Sequence, residues 1–244
     1  MVFSHSYLAD HTHFEPQIAA LEGRYRVIAY DHRDHGRSGR ASAPYTLDQL
    51  VADAVAVIEQ TQAAPCHWVG LSTGGFVGAR LALRHRALLR SVTLMDSSAE
   101  REPLYKRLKY RGMFAALGLV GIRPMLPTAM RSMFGASTRA DPSQASLLEH
   151  WSERFAANDP QGLVRFGQAI FGREDIREAL KSVDVPAQVI VGAEDAALPV
   201  ACARRMAAAL NAPLEIIERA GHLSTVEQPE AVNAALEAFV DRHR

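Results

Sequence analysis

The chain has 244 residues, which is enough for one α/β domain with a substantial core and room for an inserted subdomain. Hydrophobic residues make up 48% of it and charged residues 22%, as is usual for a globular protein. Its formal net charge is zero, so the composition excludes the overall basic charge that nucleic-acid or membrane-surface binding typically requires.

Short runs rich in branched residues and bounded by turn signals predict six strands. In chain order they are Val2–Ser4, Arg26–Tyr30, Cys66–Val69, Ser91–Met95, Ala187–Val191 and Leu214–Ile217. Helical patterns lie between most of them, at Thr12–Leu21, Leu47–Gln62, Gly75–His85, Val200–Leu210 and Pro229–Arg242. Thr46 and Gln49 have the spacing of a capping box at the start of the second helix. The alternation predicts a mainly parallel sheet with helices on both faces.

One long segment breaks this alternation. From about residue 100 to residue 181 there is no convincing strand, and prolines separate the helical stretches, at Pro103, Pro124, Pro127, Pro142 and Pro160. Roughly 80 residues of helix between two strands form an insertion rather than a loop. We therefore expect residues 1–99 and 182–244 to form the core, with residues 100–181 as a helical cap over the C-terminal edge of the sheet.

A serine lies in a glycine-lined turn between the third strand and the third helix. The run Val69-Gly70-Leu71-Ser72-Thr73-Gly74-Gly75 contains G-x-S-x-G in a strand-turn-helix context. Small neighbours at Gly70 and Gly74 make such a sharp turn sterically possible. The turn directs the Ser72 hydroxyl to the N-terminus of the next helix, whose dipole favours negative charge, and this predicts a nucleophile for acyl transfer. The alternative is a glycine-rich turn without chemistry.

An acid and a base follow Ser72 along the chain. Asp195 comes directly after the fifth predicted strand, and His222 lies in the loop after the sixth. A histidine can take the serine proton and return it to the leaving group, while a carboxylate orients the ring. Asp96 also follows a strand and is the rival acid. Without such a role, Asp195 is a turn former or helix cap and His222 a surface histidine.

An oxyanion hole requires two backbone N–H groups directed at the developing charge. One is expected from Thr73, the residue after the nucleophile. The other is expected from the loop at residues 4–10 after the first strand, where Tyr7 is the donor by position. The Tyr7 phenol either points into the site or packs in a partly buried position.

Four histidines raise the alternative of a metal site. His11 and His13 alternate in one loop, and His32 and His35 lie in a second loop after the second strand. No cysteine or carboxylate set completes a convincing ligand pattern around them, so we expect no metal.

The chain resembles α/β-hydrolase-fold proteins over nearly its whole length. The features that carry the resemblance are the turn at Ser72, Asp31-x-Arg33-x-x-Gly36-x-Ser38 after the second strand, Gly192-x-x-Asp195 and Gly221-His222. The resemblance implies the α/β-hydrolase fold, with Ser72, Asp195 and His222 as a catalytic triad in the chain order expected for this fold. It implies no cofactor.

Two stretches are similar to 3-oxoadipate enol-lactonases. His222–Gln228 resembles the H-L-S-N-x-E segment after their histidine, and Phe3–Ser6 resembles their L-S-N-S start of the oxyanion loop. Where those enzymes usually continue with L-G-T, this chain has Tyr7–Ala9, and Asp34 replaces a usual glycine. The family also implies two antiparallel strands before the His5 loop, and this sequence has no strand pattern ahead of Val2–Ser4. We therefore expect the first edge strands to be missing and the start to be truncated or misassigned. We also expect the His5 loop to be weakly anchored.

The expected activity is hydrolysis of a small carboxylic ester or lactone through an acyl-enzyme. Carbon–carbon bond hydrolases and cofactor-free perhydrolases resemble this pattern with the same triad and stay open as alternatives. A small-molecule sensor derived from a hydrolase, or an inactive truncated homologue, is the alternative of another class. A Ser72→Ala variant separates them, because a sensor keeps ligand binding and an enzyme loses turnover.

The predicted cap combines a basic first helix with many apolar side chains. The basic residues are Arg101, Lys106, Arg107, Lys109 and Arg111. They form either a solvated helix face or a surface that attracts a carboxylate-bearing substrate. The apolar candidates for a roof over the site are Met113, Phe114, Met125, Met130, Met133, Phe134, Trp151, Phe155, Phe166 and Phe171. We expect most of these to pack within the cap itself.

The sequence also predicts where the protein acts. Its first residues, Met1–His5, are followed at once by polar residues, so we expect no signal peptide. No apolar run reaches the roughly 20 residues that span a bilayer.

Cys66 and Cys202 fall in a predicted strand and a predicted helix, so we expect two small core side chains and no disulfide. We expect a cytoplasmic protein with a small-molecule substrate, no nucleic-acid partner and no membrane partner; a homo-oligomer stays open.

Overall fold

A computed structural model describes residues 1–243 of the chain. Its strands are Val2–Ser4 (β1), Ile28–Tyr30 (β2), Cys66–Leu71 (β3), Leu89–Met95 (β4), Ala187–Gly192 (β5) and Leu214–Ile217 (β6). They form one sheet in the order β2-β1-β3-β4-β5-β6, in which every neighbouring pair is parallel. All six predicted strands are confirmed, and β3 and β5 run further toward their C-terminal ends than the sequence predicted.

The helices of the core flank this sheet. They are Glu15–Leu21 (α1), Leu47–Gln60 (α2), Thr73–Arg84 (α3), Val200–Leu210 (α10), Ser224–Glu227 (α11) and Pro229–Asp241 (α12). A 3-10 turn, His11–Phe14, forms the first part of the helix predicted from Thr12. The predicted capping box is confirmed, because the Thr46 side chain accepts from Gln49 N and the Gln49 side chain accepts from Thr46 N.

Alternate residues of the central strands face opposite sides of the sheet, as the two-residue period of a strand requires. Val2 and Trp68 pack on one side with the helices α2, α3 and α10. Phe3 and Val69 pack on the other side with α1 and α12. Both faces are therefore buried, which explains why the strands read as apolar runs rather than as alternating patterns.

Six helices lie between β4 and β5. They are Leu104–Val120 (α4), Leu126–Met133 (α5), Ala136–Ala140 (α6), Ala145–Ala156 (α7), Pro160–Phe171 (α8) and Arg177–Leu180 (α9). Within residues 1–243 no strand interrupts this segment. Several of its aromatic residues are buried: Phe114, Phe134, Trp151, Phe155 and Phe166. Phe166 packs on Tyr7 and His35, outside this segment, so these side chains pack against the rest of the molecule as well as among themselves.

Both cysteines are free thiols, with Cys66 buried in β3 and Cys202 half-buried on α10. None of the helices in residues 1–243 combines the length and the hydrophobicity that a membrane span requires.

Candidate active site

Ser72 occupies the sharp turn between β3 and α3. Its backbone has φ 53° and ψ −105°, a left-handed conformation that a residue with a side chain rarely adopts. The Ser72 N–H donates to the carbonyl of Met95 at the end of β4, and its carbonyl accepts from the Ser97 hydroxyl and from Phe76 N. These bonds hold Ser72 in the strained turn at the N-terminus of α3.

The two glycines beside Ser72 are required by close backbone contacts. A Cβ at Gly70 would collide with the Gly74 carbonyl, and a Cβ at Gly74 would collide with the carbonyl of Ser4 in β1. The Trp68 indole also donates to the Gly74 carbonyl at 3.0 Å. The steric role predicted for these glycines is thus confirmed, and Gly74 brings the loop after β1 against the serine turn.

Asp195 and His222 form a buried pair at the C-terminal ends of β5 and β6. The distance from His222 Nδ1 to Asp195 Oδ2 is 2.8 Å. The other carboxylate oxygen of Asp195 accepts from the N–H groups of Ala197 and Leu198. Because a carboxylate only accepts, Nδ1 carries the proton, which leaves Nε2 of the neutral ring free to take one.

The surroundings of His222 act on its pKa in opposite directions. Burial by itself would lower the pKa of the imidazole. The negative charge of Asp195 and its hydrogen bond outweigh burial, so that the pKa of His222 is raised above its ordinary value. The pair is therefore arranged to stabilise a positively charged His222.

Asp96, the rival acid, has a different set of partners. Its carboxylate accepts from Gly192 N at 2.7 Å and from the Ser224 hydroxyl at 2.5 Å, and it makes no hydrogen bond to His222 within residues 1–243. Burial and the nearby charge of Asp195 raise the pKa of Asp96 well above its ordinary value. Of the two acids, the structure pairs Asp195 with the histidine.

Ser72 lies at the same edge of the sheet as this pair. The residues follow β3, β5 and β6 at their C-terminal ends, where ligands bind in open α/β sheets. In the described chain the Ser72 hydroxyl makes no hydrogen bond to His222. Hydrogen bonds between catalytic groups often form fully only in the substrate complex.

The loop after β1 is tied to the serine turn. Gly74 N donates to the His5 carbonyl at 3.2 Å. The fully buried His5 ring bonds through Nδ1 to the Ser6 carbonyl, and its Nε2 accepts from His32 N at 2.8 Å. The structure therefore holds this loop through its neighbours, in contrast to the expected weak anchoring.

Tyr7 is half-buried in the same loop. Its hydroxyl donates to the Leu163 carbonyl at 3.0 Å on α8, and its ring stacks on Phe166 at a centroid distance of 6.1 Å. The phenol thus packs against the helices between β4 and β5. Thr73 is the first residue of α3, where backbone N–H groups have no partner within the helix.

Glu227 is a residue whose position the sequence did not predict. Its side chain accepts from Gly221 N and Gly135 N, both at 2.8 Å, and from the Thr138 hydroxyl at 2.6 Å. It therefore joins the loop that carries His222 to the segment after α5. The sequence feature that could have identified Glu227 is the run His222–Gln228, which resembles the enol-lactonase segment. In that segment a glutamate follows the histidine by five positions.

His13 was considered in the sequence only as a metal ligand. It is fully buried, and neither of its ring nitrogens has a hydrogen-bond partner among the described residues. Its ring lies near His5 and Trp151, at centroid distances of 6.4 Å each. Burial lowers the pKa of His13 well below its ordinary value, with smaller contributions that include His222, so the ring is neutral at pH 7.

One cluster has the composition of a metal site. Asp10, His11 and Asp31 each place a ligand-type atom within 4.8 Å of the others. Asp31 already accepts from His11 and from Arg37 N, while Asp10 pairs with Arg154. Asp10 is thus neutralised by the Arg154 guanidinium, while Asp31 is satisfied by the His11 ring and by backbone N–H groups.

A cleft of about 410 Å³ lies between α4 and α8. Arg107, Arg111, Tyr110 and Phe171 are among the residues that line it, whereas neither Ser72 nor His222 does. Two residues of the predicted basic helix therefore border a cavity, but this cavity is separate from the serine turn.

A parallel sheet between helices, with a serine on a strained strand-to-helix turn and a downstream carboxylate–histidine pair, defines the class of α/β hydrolases. The family model described as "Alpha/beta hydrolase family" matches residues 1–235, and the chain belongs to this family.

The chain is similar to several characterised or solved members. It is 29% identical over 243 residues to 3-oxoadipate enol-lactonase 2 of Acinetobacter baylyi, covering 99% of this chain and 88% of the relative. It is 32% identical over 238 residues to a protein named for carbamate hydrolysis from Caulobacter sp. (strain K31), covering 94% and 85%. The crystal structure of the enol-lactonase from Burkholderia xenovorans LB400 superposes with a TM-score of 0.89 at 28% identity, covering 98% and 90%. The chain is accordingly a hydrolase enzyme.

Proposed function

We propose that the protein hydrolyses a small carboxylic ester or lactone through a triad of Ser72, His222 and Asp195. The observation that carries the proposal is the 2.8 Å bond between His222 Nδ1 and Asp195 Oδ2, at the sheet edge where Ser72 is held with φ 53°. This arrangement combines a serine held on a sharp turn with a base whose ring is oriented by a carboxylate.

In the first half of the reaction, Nε2 of His222 takes the proton of the Ser72 hydroxyl as its oxygen attacks the carbonyl carbon. Asp195 holds the resulting imidazolium through Nδ1–H, consistent with the raised pKa of His222. The tetrahedral intermediate then collapses, the bond from carbon to the leaving oxygen breaks, and Nε2–H protonates that oxygen. In a lactone the leaving alcohol stays attached to the acyl group.

In the second half, His222 takes a proton from water as the water oxygen attacks the acyl carbon. The ester bond to Ser72 breaks, and the serine oxygen recovers its proton from Nε2. One water is consumed, and a carboxylic acid and an alcohol are formed. No step requires a redox change or a cofactor.

The negative oxygen of the tetrahedral intermediate is assigned to the N–H groups of Thr73 and Tyr7. Thr73 N lies in the first turn of α3, where free N–H groups and the helix dipole favour negative charge. Tyr7 belongs to the loop that Gly74 N ties to the serine turn through the His5 carbonyl. The Tyr7 hydroxyl, bonded to Leu163, keeps the donor segment in place.

Residues 100–181 are proposed to form the cap over this site. Glu227 and Glu194 link them to the core, since Gly135 N donates to Glu227 and Ser137 N donates to Glu194 at 2.7 Å. His13 is buried and has no hydrogen-bond partner among residues 1–243, and it is proposed to bond a polar oxygen of the substrate. We expect His13→Leu to raise KM at least tenfold while kcat changes less.

Two substrate classes follow from the relatives. The enol-lactonases favour a lactone, and the relative named for carbamate hydrolysis favours a carbamate as the second candidate. Both have a carbonyl carbon that an activated serine can attack.

The test is turnover of a panel of simple lactones, short-chain p-nitrophenyl esters and carbamates by wild type and Ser72→Ala. We expect turnover of a lactone or ester that falls on the order of 10⁵-fold in Ser72→Ala. Turnover of none of the panel, or turnover that survives the substitution, would overturn the proposal. Turnover confined to carbamates would keep the mechanism and replace the substrate class.

A further inference from the structure

The large hydrophobic side chains that are exposed in residues 1–243 all lie on one helix, α4. They are Leu104 at 68% exposure, Tyr105 at 69%, Leu108 at 58%, Leu119 at 85% and Val120 at 60%. Single exposed apolar residues are common on protein surfaces, but a contiguous apolar patch marks an interaction site. The concentration of these residues on one element therefore requires an explanation.

Four apolar residues of α4 form an exposed stripe. Leu104, Leu108, Ala115 and Leu119 fall within about 60° of arc around a helix of 3.6 residues per turn. The opposite face of the helix contains the buried Phe114 and Leu117 and packs on α8. The core has already taken the inner face, so the stripe is left exposed, and its Leu104, Leu108 and Ala115 border the cleft between α4 and α8.

Positive charges flank the stripe on both sides. At the same helical spacing, Arg107 and Arg111 lie on one flank and Lys109 on the other. None of these three makes a salt bridge in the described part of the chain, and α4 contains no acidic residue. The nearby Glu102 is buried and bonded to Arg173. The net charge of zero thus conceals a local cluster of unpaired cations.

We propose that α4 docks the protein on an anionic lipid surface, with its apolar stripe in the interface and its cations at the phosphate headgroups. An outward apolar face flanked by Lys and Arg is the pattern of a helix that lies in the plane of a membrane interface. The cations complement the charge of anionic lipids and extend from both flanks to the headgroup level. Such docking does not need a membrane-spanning helix.

A second copy of the chain fits this face less well. A symmetric dimer that paired α4 with α4 would bring the two cation clusters together, and like charges oppose such a contact. The charge pattern therefore favours an anionic partner of large area over a copy of the same helix.

The test is flotation of the full-length chain with vesicles of phosphatidylserine and phosphatidylcholine, with pure phosphatidylcholine vesicles as reference. One variant, Arg107→Gln/Lys109→Gln/Arg111→Gln, removes three cations from α4. The matched control, Arg90→Gln/Arg204→Gln/Arg242→Gln, removes three exposed cations from other elements and has the same net charge. A second variant, Leu104→Ser/Leu119→Ser, removes two exposed leucines from the apolar stripe. Circular dichroism melts confirm that each variant is folded.

We expect wild type to bind the anionic vesicles, with binding that weakens as salt is raised. The α4 charge variant should lose affinity on the order of 100-fold, the stripe variant about tenfold or more, and the control little. Three outcomes would overturn the proposal: no binding by wild type, equal loss in the α4 charge variant and the control, or a concentration-dependent dimer that only the stripe variant abolishes.

Discussion

The imidazole of His222 is bonded to Asp195, at 2.8 Å, and not to Asp96, although both acids are buried and follow neighbouring strands. The order of the strands explains why His222 pairs with Asp195 rather than with Asp96. β5 lies between β4 and β6, so the end of β5 is adjacent to the loop after β6, whereas Asp96 at the end of β4 is one strand further away. Asp96 instead accepts from Gly192 and Ser224 near the base of that loop.

This geometry predicts opposite results for two isosteric substitutions. Asp195→Asn removes the charge that fixes the tautomer of His222, and kcat should fall on the order of 10³- to 10⁴-fold. Asp96→Asn removes a carboxylate that does not contact the imidazole, and kcat should stay within about tenfold of wild type. Steady-state kinetics on one ester substrate measure both. A larger loss of kcat in Asp96→Asn than in Asp195→Asn would show that Asp96 is the acid of the triad.

The raised pKa of His222 predicts the pH dependence of activity. The base must be neutral to take the serine proton, so kcat/KM should rise with pH through a value above the ordinary pKa of histidine. In Asp195→Asn the rise of kcat/KM with pH should occur at lower pH. Burial lowers the pKa of His222, and this variant lacks the negative charge of Asp195 that counteracts burial. An unchanged pH dependence of kcat/KM in this variant would show that a group other than His222 controls it.

The same pair contributes to stability with a definite sign. Because the pKa of His222 is raised in the folded state, its contribution to the free energy of unfolding is fully present below the ordinary pKa of histidine. The contribution is lost as pH rises through the folded-state value. Catalysis and this stabilisation therefore require opposite protonation states of His222.

The secondary structure was largely predictable, because periodicity and turn residues are local signals. The bounds of β1, β6 and α10 agree with the sequence prediction. The end of β3 and the start of α3 do not, because the prediction ended the strand at Val69 and began the helix at Gly75. The turn between them is packed against Ser4 and Ser97, which are distant in sequence.

The site was predictable in its residue types and less so in its pairings. Strand ends identified both Asp96 and Asp195 as acids, and only the order of the strands distinguishes them. The bond from His32 N to His5 Nε2 joins loops 27 positions apart, which no local pattern encodes. The exposure of the α4 stripe likewise depends on how α4 packs on α8.

The buried histidines predict loss of stability in acid. Burial lowers the pKa of His35 from 6.5 to about 3, so the unfolded chain binds a proton there that the folded chain excludes. The free energy of unfolding should therefore fall as pH decreases from about 6.5 toward about 3. In His35→Leu the slope should be smaller by up to about 1.4 kcal/mol per pH unit. Urea unfolding at a series of pH values measures it, and equal slopes would contradict the prediction.

The contact between Gly74 and Ser4 predicts a position-specific effect of alanine. Gly74→Ala would force a Cβ against the Ser4 carbonyl and separate the loop of Tyr7 from the serine turn. We expect a loss of about 1–3 kcal/mol in the free energy of unfolding and a lower kcat. Gly23→Ala is the control, because its Cβ would meet nothing within 4 Å and should leave both quantities nearly unchanged. Similar values for the two variants would contradict the steric argument.

The central claim is that Ser72 is the nucleophile, and covalent labelling tests it most directly. A serine-directed fluorophosphonate should form one adduct per chain, measured by intact mass, and peptide mapping should place it on Ser72. Labelling should be absent from Ser72→Ala and slow in His222→Ala, since the histidine activates the hydroxyl. An adduct on another residue, or none on a folded wild-type chain, would contradict the account.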